Sequence, residues 1–320
     1  MNDGSNRNAI GARGAALRCG LALTAPGGRK ATIVVATDFS KAADAAIDAA
    51  VGIAAKLDAR IVLLHLLSIA PIAHADFVWV PTADEVEGWT RKSEASLRAA
   101  IERIHARETG VEVESVLADG IMPGDLLDAI EQRAADLVVV GTHGRGFWSN
   151  LVLGSVARAV VRQSSVPVLT VRPEGMDPES TTVLVPVELG KVVDEALDFA
   201  VGLASLLGSK LRLLYVFPGA EEVDLGDGGD MAASIATKAQ VALEQLADPE
   251  RLRDLQVESV TRFGQAARQI ANEANACNAG YIVMGTHARG FVKRTVTGSV
   301  AEDVLQLAGR AVVTCRVADT

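Results

Sequence analysis

GTHGRGFWSNLVLGSVA, from Gly141 to Ala157, returns as GTHARGFVKRTVTGSVA from Gly285 to Ala301, with 11 of 17 positions identical. Identity of that density marks one unit of sequence present twice. Working outward, ATIVVATDFS (Ala31–Ser40) parallels TTVLVPVELG (Thr181–Gly190), and IDAAVGIAAKL (Ile47–Leu57) parallels LDFAVGLASLL (Leu197–Leu207). RIVLLHLL then parallels KLRLLYVF. The period, about 145 to 150 residues, is far beyond the roughly 20 to 50 of solenoid repeats and denotes two copies of a domain. Residues 29–173 form the first copy and 181–320 the second. PEGMDPES (Pro173–Ser180), with two prolines, a glycine and three acids, marks the boundary, and 174–180 is the polar connector.

Within each copy the hydrophobic period switches between that of strands and that of helices. In the first, β-branched runs at Thr32–Thr37, Arg60–Leu67, Val111–Leu117, Leu137–Val140 and Val166–Val171 read as buried strands. Lys41–Leu57 places Ile47, Val51, Ala54 and Leu57 on one helical face, with Ser40 as N-cap; Glu85–Arg107, Gly124–Ala134 and Ser155–Gln163 also suit helices. Alternating strands and helices, with strands apolar on both faces, give a doubly wound parallel α/β sheet with right-handed crossovers. Such sheets bind ligands beyond the carboxyl ends of their strands, where the winding reverses.

At one such exit the glycines are spaced with a purpose. Gly141 ends the fourth strand, Gly144 follows in the turn, and Gly154-Ser155 opens a helix after nine intervening residues. Glycines there remove side chains where a ligand would approach and permit turns with positive φ. The helix mouth adds free N–H groups and the positive end of a dipole, and Ser155 adds a hydroxyl. No G-x4-G-K-[ST] occurs and no G-x-G-x-x-G follows either first strand, so neither a Walker site nor a dinucleotide fold is present.

The G-x2-G-x9-G-[ST] spacing, the DFS after strand one and the closing GSVA helix resemble the universal stress protein family, over nearly all of 29–317. The resemblance implies five-stranded sheets in the order 3-2-1-4-5, a Rossmann-like fold. It also implies an adenine nucleotide at the switch point, taken as ATP with Mg2+ or Mn2+, and pairing of the two domains through their fifth strands as an internal pseudo-dimer. By the same resemblance Asp38 lies near adenine and ribose, and Leu66 offers its backbone to adenine. Gly141, Gly144, Arg145, Gly154, Ser155 and Val156 form the ribose and phosphate loop. The second copy offers Glu188, Val216, Gly285, Ala288, Arg289, Gly298, Ser299 and Val300 at the matching places. Glu188 is one methylene longer than Asp38, and Ala288 brings a Cβ where the first copy has Gly144, so binding is expected to be weaker there. Arg289, Lys293 and Arg294 supply charges to offset that loss.

Other residues have plainer readings. Asp38 would equally cap the helix at Lys41. His143 and His287 suit exposed turns, and His65, aligned with Tyr215, suits a packing position. His74, His105 and the three cysteines have no metal-ligand spacing. After strand two the copies diverge: SIAPIAHADFVWVPTADEVEGW (Ser68–Trp89) carries Phe77, Trp79 and Trp89, whereas GAEEVDLGDGGD (Gly219–Asp230) carries five acids.

Composition bounds the rest. In 320 residues, 31 Lys and Arg against 40 Asp and Glu leave a net charge of −9, which disfavours nucleic acid and anionic lipid. Cys19, Cys277 and Cys315 form no disulfide framework and point to a reducing, cytoplasmic setting. No run reaches the 18 or so apolar residues of a membrane helix. Residues 1–28 read as a disordered extension. The expected role is nucleotide-linked regulation through unknown protein partners, with room for a homodimer. The alternatives are a slow ATPase or phosphotransferase and an interaction module without nucleotide. No P-loop lysine or evident general base accompanies the glycines, so any hydrolysis is expected to be slow and to depend on Arg145, His143 or a bound metal.

Overall fold

The computed structural model describes residues 29–69, 72–74, 77–108, 110–142, 153–174, 176–177, 179–188, 194–217, 234, 237–239, 241–242, 252, 255–287 and 300–317. These fall into two compact units that part between Gly175 and Met176.

The first unit runs β1 (Thr32–Ala36), α1 (Lys41–Leu57), β2 (Arg60–Ser68), β3 (Ile72–His74), β4 (Phe77–Trp79), α2 (Ala83–Arg107), β5 (Glu112–Gly120), α3 (Gly124–Gln132), β6 (Leu137–Gly141), α4 (Ser155–Gln163) and β7 (Val168–Val171). Its main sheet is parallel in the order β5-β2-β1-β6-β7, which by position in the chain is 3-2-1-4-5. The central β1 shows why. Val34 sits level with Val62 and with Val138, and all three are inaccessible to solvent. A strand apolar on both faces needs a layer on each side, and the crossover helices supply it.

Helix α1 is fixed at both ends. The Ala43 N–H donates to Ser40 Oγ, and Asp58 stops the helix in a left-handed C-cap with φ 51°. Ala42, Ala43, Ala46 and Ala50 line its buried side, so the helix lies close to the sheet. The face differs in detail from the periodicity: Val51 is only half-buried, and Ile53 takes a core place instead.

Two segments depart from their sequence reading. β5, expected to be buried, is the sheet edge, and Glu112, Glu114 and Ser115 are exposed on it. Charge on an edge strand discourages further pairing. The aromatic stretch after β2 contains the antiparallel β3–β4 pair, with Trp79 packed on Trp89 at 5.8 Å between ring centroids. Thr82 then opens α2 with a reciprocal capping box to Glu85.

The second unit repeats the plan: β8 (Thr182–Val187), α5 (Asp194–Leu207), β9 (Lys210–Phe217), β10 (Val257–Phe263), α6 (Ala266–Ala276), β11 (Ala279–His287), α7 (Val300–Leu307) and β12 (Ala311–Val317). Its strands are parallel in the order β10-β9-β8-β11-β12, again 3-2-1-4-5. Among the described residues no helix is long and apolar enough to cross a membrane.

Candidate functional site

In the first unit the winding reverses between β1 and β6, and both strands end at the same crevice. The exit of β1 is a tight turn, Thr37 to Ser40. The Phe39 N–H donates to Thr37 Oγ1 at 3.1 Å, and the Ser40 N–H donates to Asp38 Oδ1 at 3.0 Å. Phe39 itself has φ 61°, a left-handed conformation costly for an aromatic residue. Helix capping at Lys41 falls to Ser40 rather than Asp38. Asp38 braces the turn instead.

The exit of β6 is built differently. A Cβ on Gly141 would stand 2.7 Å from the Ala42 backbone carbon and 2.8 Å from its Cβ. The missing side chain therefore admits the first turn of α1, and the backbone at Gly141 is not left-handed. Helix packing thus gives Gly141 a reason to lack a side chain beside that of leaving room for a ligand. Beyond it the chain is pinned: the Thr142 N–H donates to the Val171 carbonyl and the Gly154 N–H to the Thr142 carbonyl, both at 2.8 Å. The two ends of the glycine-rich segment thus meet at the sheet.

Gly154 is the N-cap of α4, with φ −58° and ψ 150° and no side-chain cap. The first intrahelical bond runs from Arg158 N–H to the Gly154 carbonyl, so the amides of the first turn are left without helical acceptors. They open on a cavity of about 310 Å³, within the range of small-molecule sites.

Of the residues singled out in the first copy, Asp38, Leu66, Gly141, Gly154, Ser155 and Val156 line this one cavity. Gly144, Arg145 and His143 lie outside the described residues. Sequence reasoning missed the apolar wall, made by Ala36, Leu64, Val140, Met122 and Leu126, and the hydroxyls of Thr37 and Thr142. Met122 arrives from the turn between β5 and α3 and Leu126 from the first turn of α3, and nothing in their residue types announces it. Asp38 is the one charged side chain among the described lining residues. The arrangement offers an apolar slot for a flat ring, a carboxylate to accept from hydroxyl or amino groups, and backbone donors for an anion.

In the second unit Glu188 is exposed just past β8, Val216 on β9 and Gly285 on β11 are half-buried, and Val300 is exposed where α7 starts. Ala288, Arg289, Gly298 and Ser299 are outside the described residues, as are Lys293 and Arg294. The side chain of His287 is likewise not described. Among the described residues, no group of three or more His, Cys, Asp or Glu could hold a metal ion.

Comparison with known proteins agrees on one description. The model of the universal stress protein family matches residues 31–172 and again 179–316. Universal stress protein Rv2623 of Mycobacterium tuberculosis is 28% identical over 305 residues, covering 89% of this chain and 96% of that protein. Universal stress protein Rv2005c of the same organism is 32% identical over 187 residues, 57% of this chain. That match spans 62% of the relative, less than two thirds of its length. Among solved structures, a universal stress protein from Archaeoglobus fulgidus superposes with a TM-score of 0.66 at 20% identity, covering 89% of this chain and 98% of that one. At that identity the likeness is one of fold.

Proposed function

This chain belongs to the universal stress protein family, and from that premise we propose that its first unit binds ATP as a regulatory ligand. The reading rests on one observation above the others: the uncapped mouth of α4 and the Asp38 carboxylate open on the same apolar cavity. An acidic protein has no general attraction for a polyphosphate, so the anion must be held by directed donors. The amides at Ser155 and beyond, with the Ser155 hydroxyl and the dipole of α4, are such donors. Leu64, Leu66, Met122 and Leu126 would sandwich the base, and Asp38 would accept from the ribose.

Mg2+ or Mn2+ would travel with the nucleotide. The described lining holds a single carboxylate, so phosphate oxygens and water would supply most of the ligands. Binding would act by selecting one arrangement of the surface around the cavity, to the extent that ATP prefers it.

Calorimetry of the full chain with ATP and Mg2+, joined to mass spectrometry of ligand released on denaturation, tests the reading. The backbone at Gly154 has a conformation that valine adopts freely. Gly154→Val therefore places a branched side chain at the donors without a backbone conformation that valine avoids, and at least about tenfold weaker binding is expected. Absence of both heat and co-purified adenylate from the wild type overturns the proposal. ADP release faster than about 0.1 per second, the low end of ordinary turnover, would recast the protein as an enzyme.

A further inference from the structure

His65 was read as a packing residue, yet its contacts reach the turn that carries Asp38. Its Nδ1 lies 2.7 Å from the Thr37 carbonyl oxygen, and its ring packs against Phe39 at 4.5 Å between centroids. A carbonyl only accepts, so Nδ1 carries the proton and donates. That bond satisfies an acceptor left over where β1 stops, and the ring covers the residue with φ 61°. Thr37 is buried, at 6% exposure, so the carbonyl has little recourse to water.

We propose that His65 is a positioning residue for Asp38, holding the strained Thr37–Ser40 turn in the form that directs the carboxylate to a nucleotide's ribose. The ligand half of this proposal rests on the ATP reading above. Two features make histidine suited to the task. Its Nδ1 stands next to the root of the ring, within reach of the neighbouring strand's carbonyl, and the flat ring presents a face to Phe39. The second unit has Tyr215 at the same register, level with Val187. A tyrosine keeps the ring but carries its only donor at the far tip. The two copies therefore differ at the support as well as at the acid, Asp38 against Glu188.

Hydrogen exchange of the full chain, followed on peptides covering residues 37–43, separates the claims. His65→Phe keeps a ring and deletes the donor, whereas His65→Asn keeps a donor near the Nδ1 position. Without ligand, His65→Phe should speed exchange of the Phe39 and Ser40 amides about tenfold, and His65→Asn should stay within about threefold of wild type. Titration with ATP and Mg2+, read as protection of the same peptides, should shift its midpoint about tenfold for His65→Phe and recover in His65→Asn. Equal rates in wild type and His65→Phe, or equal acceleration in both variants, would overturn the assignment. A wild type with no ATP-dependent protection would sink the nucleotide reading and the ligand half of this one. The free-state rates would still decide whether His65 clamps the turn.

Discussion

Val62 on β2, Ala118 on β5 and Ala129 on α3 occupy the same places in the first unit as Arg212 on β9, Arg262 on β10 and Glu273 on α6 in the second. The strand registers establish the first two pairs: Val34 is level with Val62 and Leu184 with Arg212, while Leu66 is level with Ala118 and Val216 with Arg262; Ala129 and Glu273 share the sequence offset of Gly141 and Gly285. Where one copy packs small apolar groups, the other buries a carboxylate. The Glu273 side chain is 1% exposed, with Arg212 and Arg262 each 2.7 Å from it, and Arg212 reaches on to Glu258 at 2.6 Å. The backbone accepts either chemistry provided each buried charge meets its counter-charge. Desolvating such a set costs several kcal/mol per ion and is offset only while the set is whole.

Removing the central member is the hardest blow to that comparison. Glu273→Ala takes from Arg212 and Arg262 the acid they share, leaving Arg212 to Glu258 and the 41% exposed Arg262 side chain to water, and should cost the second unit about 2–3 kcal/mol. The three tryptophans, Trp79, Trp89 and Trp148, all belong to the first copy. Denaturation followed by far-UV circular dichroism should therefore lose its second-unit transition at low denaturant while tryptophan fluorescence is unmoved. A loss under 1 kcal/mol would mean that the cluster is not closed as described.

Installing the first copy's residues completes the test. Arg212→Val, Arg262→Ala and Glu273→Ala together should leave the second unit as stable as before or more stable by about 1–4 kcal/mol, against the collapse of the single variant. If the triple variant unfolds like Glu273→Ala, the comparison of the copies fails.

A subtler contrast is at Tyr281, where the first copy has Leu137; each is level with the first strand of its unit, at Val183 and Ile33. Burial pushes the Tyr281 hydroxyl from 10.0 to about 12. The folded state keeps that proton longer than the unfolded one. The Tyr281 contribution to the second unit's stability is therefore constant below pH 10 and declines as pH rises towards 12, by about 2–3 kcal/mol in all. Tyr281→Phe should remove that decline, as seen in urea midpoints measured at pH 9 and pH 11.5. An unchanged alkaline slope would assign it to other groups.

The fold was legible because repetition and period act locally: Val34, Val138 and Leu57 are core residues wherever the chain places them. The line between centre and edge was only half legible: Val111–Leu117 carries Glu112, Glu114 and Ser115 where β1 is apolar almost throughout, yet only pairing shows that β5 has one neighbour. Of the site, Gly154 and Ser155 could be found from the glycine spacing, and Asp38, two residues past β1, from the family resemblance. Met122 and Leu126 could not, since they reach the cavity through the packing of α3. His65 was visible as a difference from Tyr215, but its role depends on a hydrogen bond between strands that no spacing encodes.

Gly141 carries two readings, room for a ligand and room for α1, and telling them apart rests on the smallest effect. If the glycine serves a ligand, Gly141→Ala weakens ATP binding and leaves stability alone. If it admits α1, the added Cβ, 2.7 Å from the Ala42 backbone, forces the helix outward and costs the first unit about 1–3 kcal/mol even without ligand. The tryptophans report on this unit, so a fluorescence-detected urea titration should show an earlier midpoint with an unchanged second-unit transition. Because α1 begins at the turn that carries Asp38, its displacement should also lower affinity. The two losses arise together from one movement, and a variant that lost affinity at full stability would return Gly141 to the ligand.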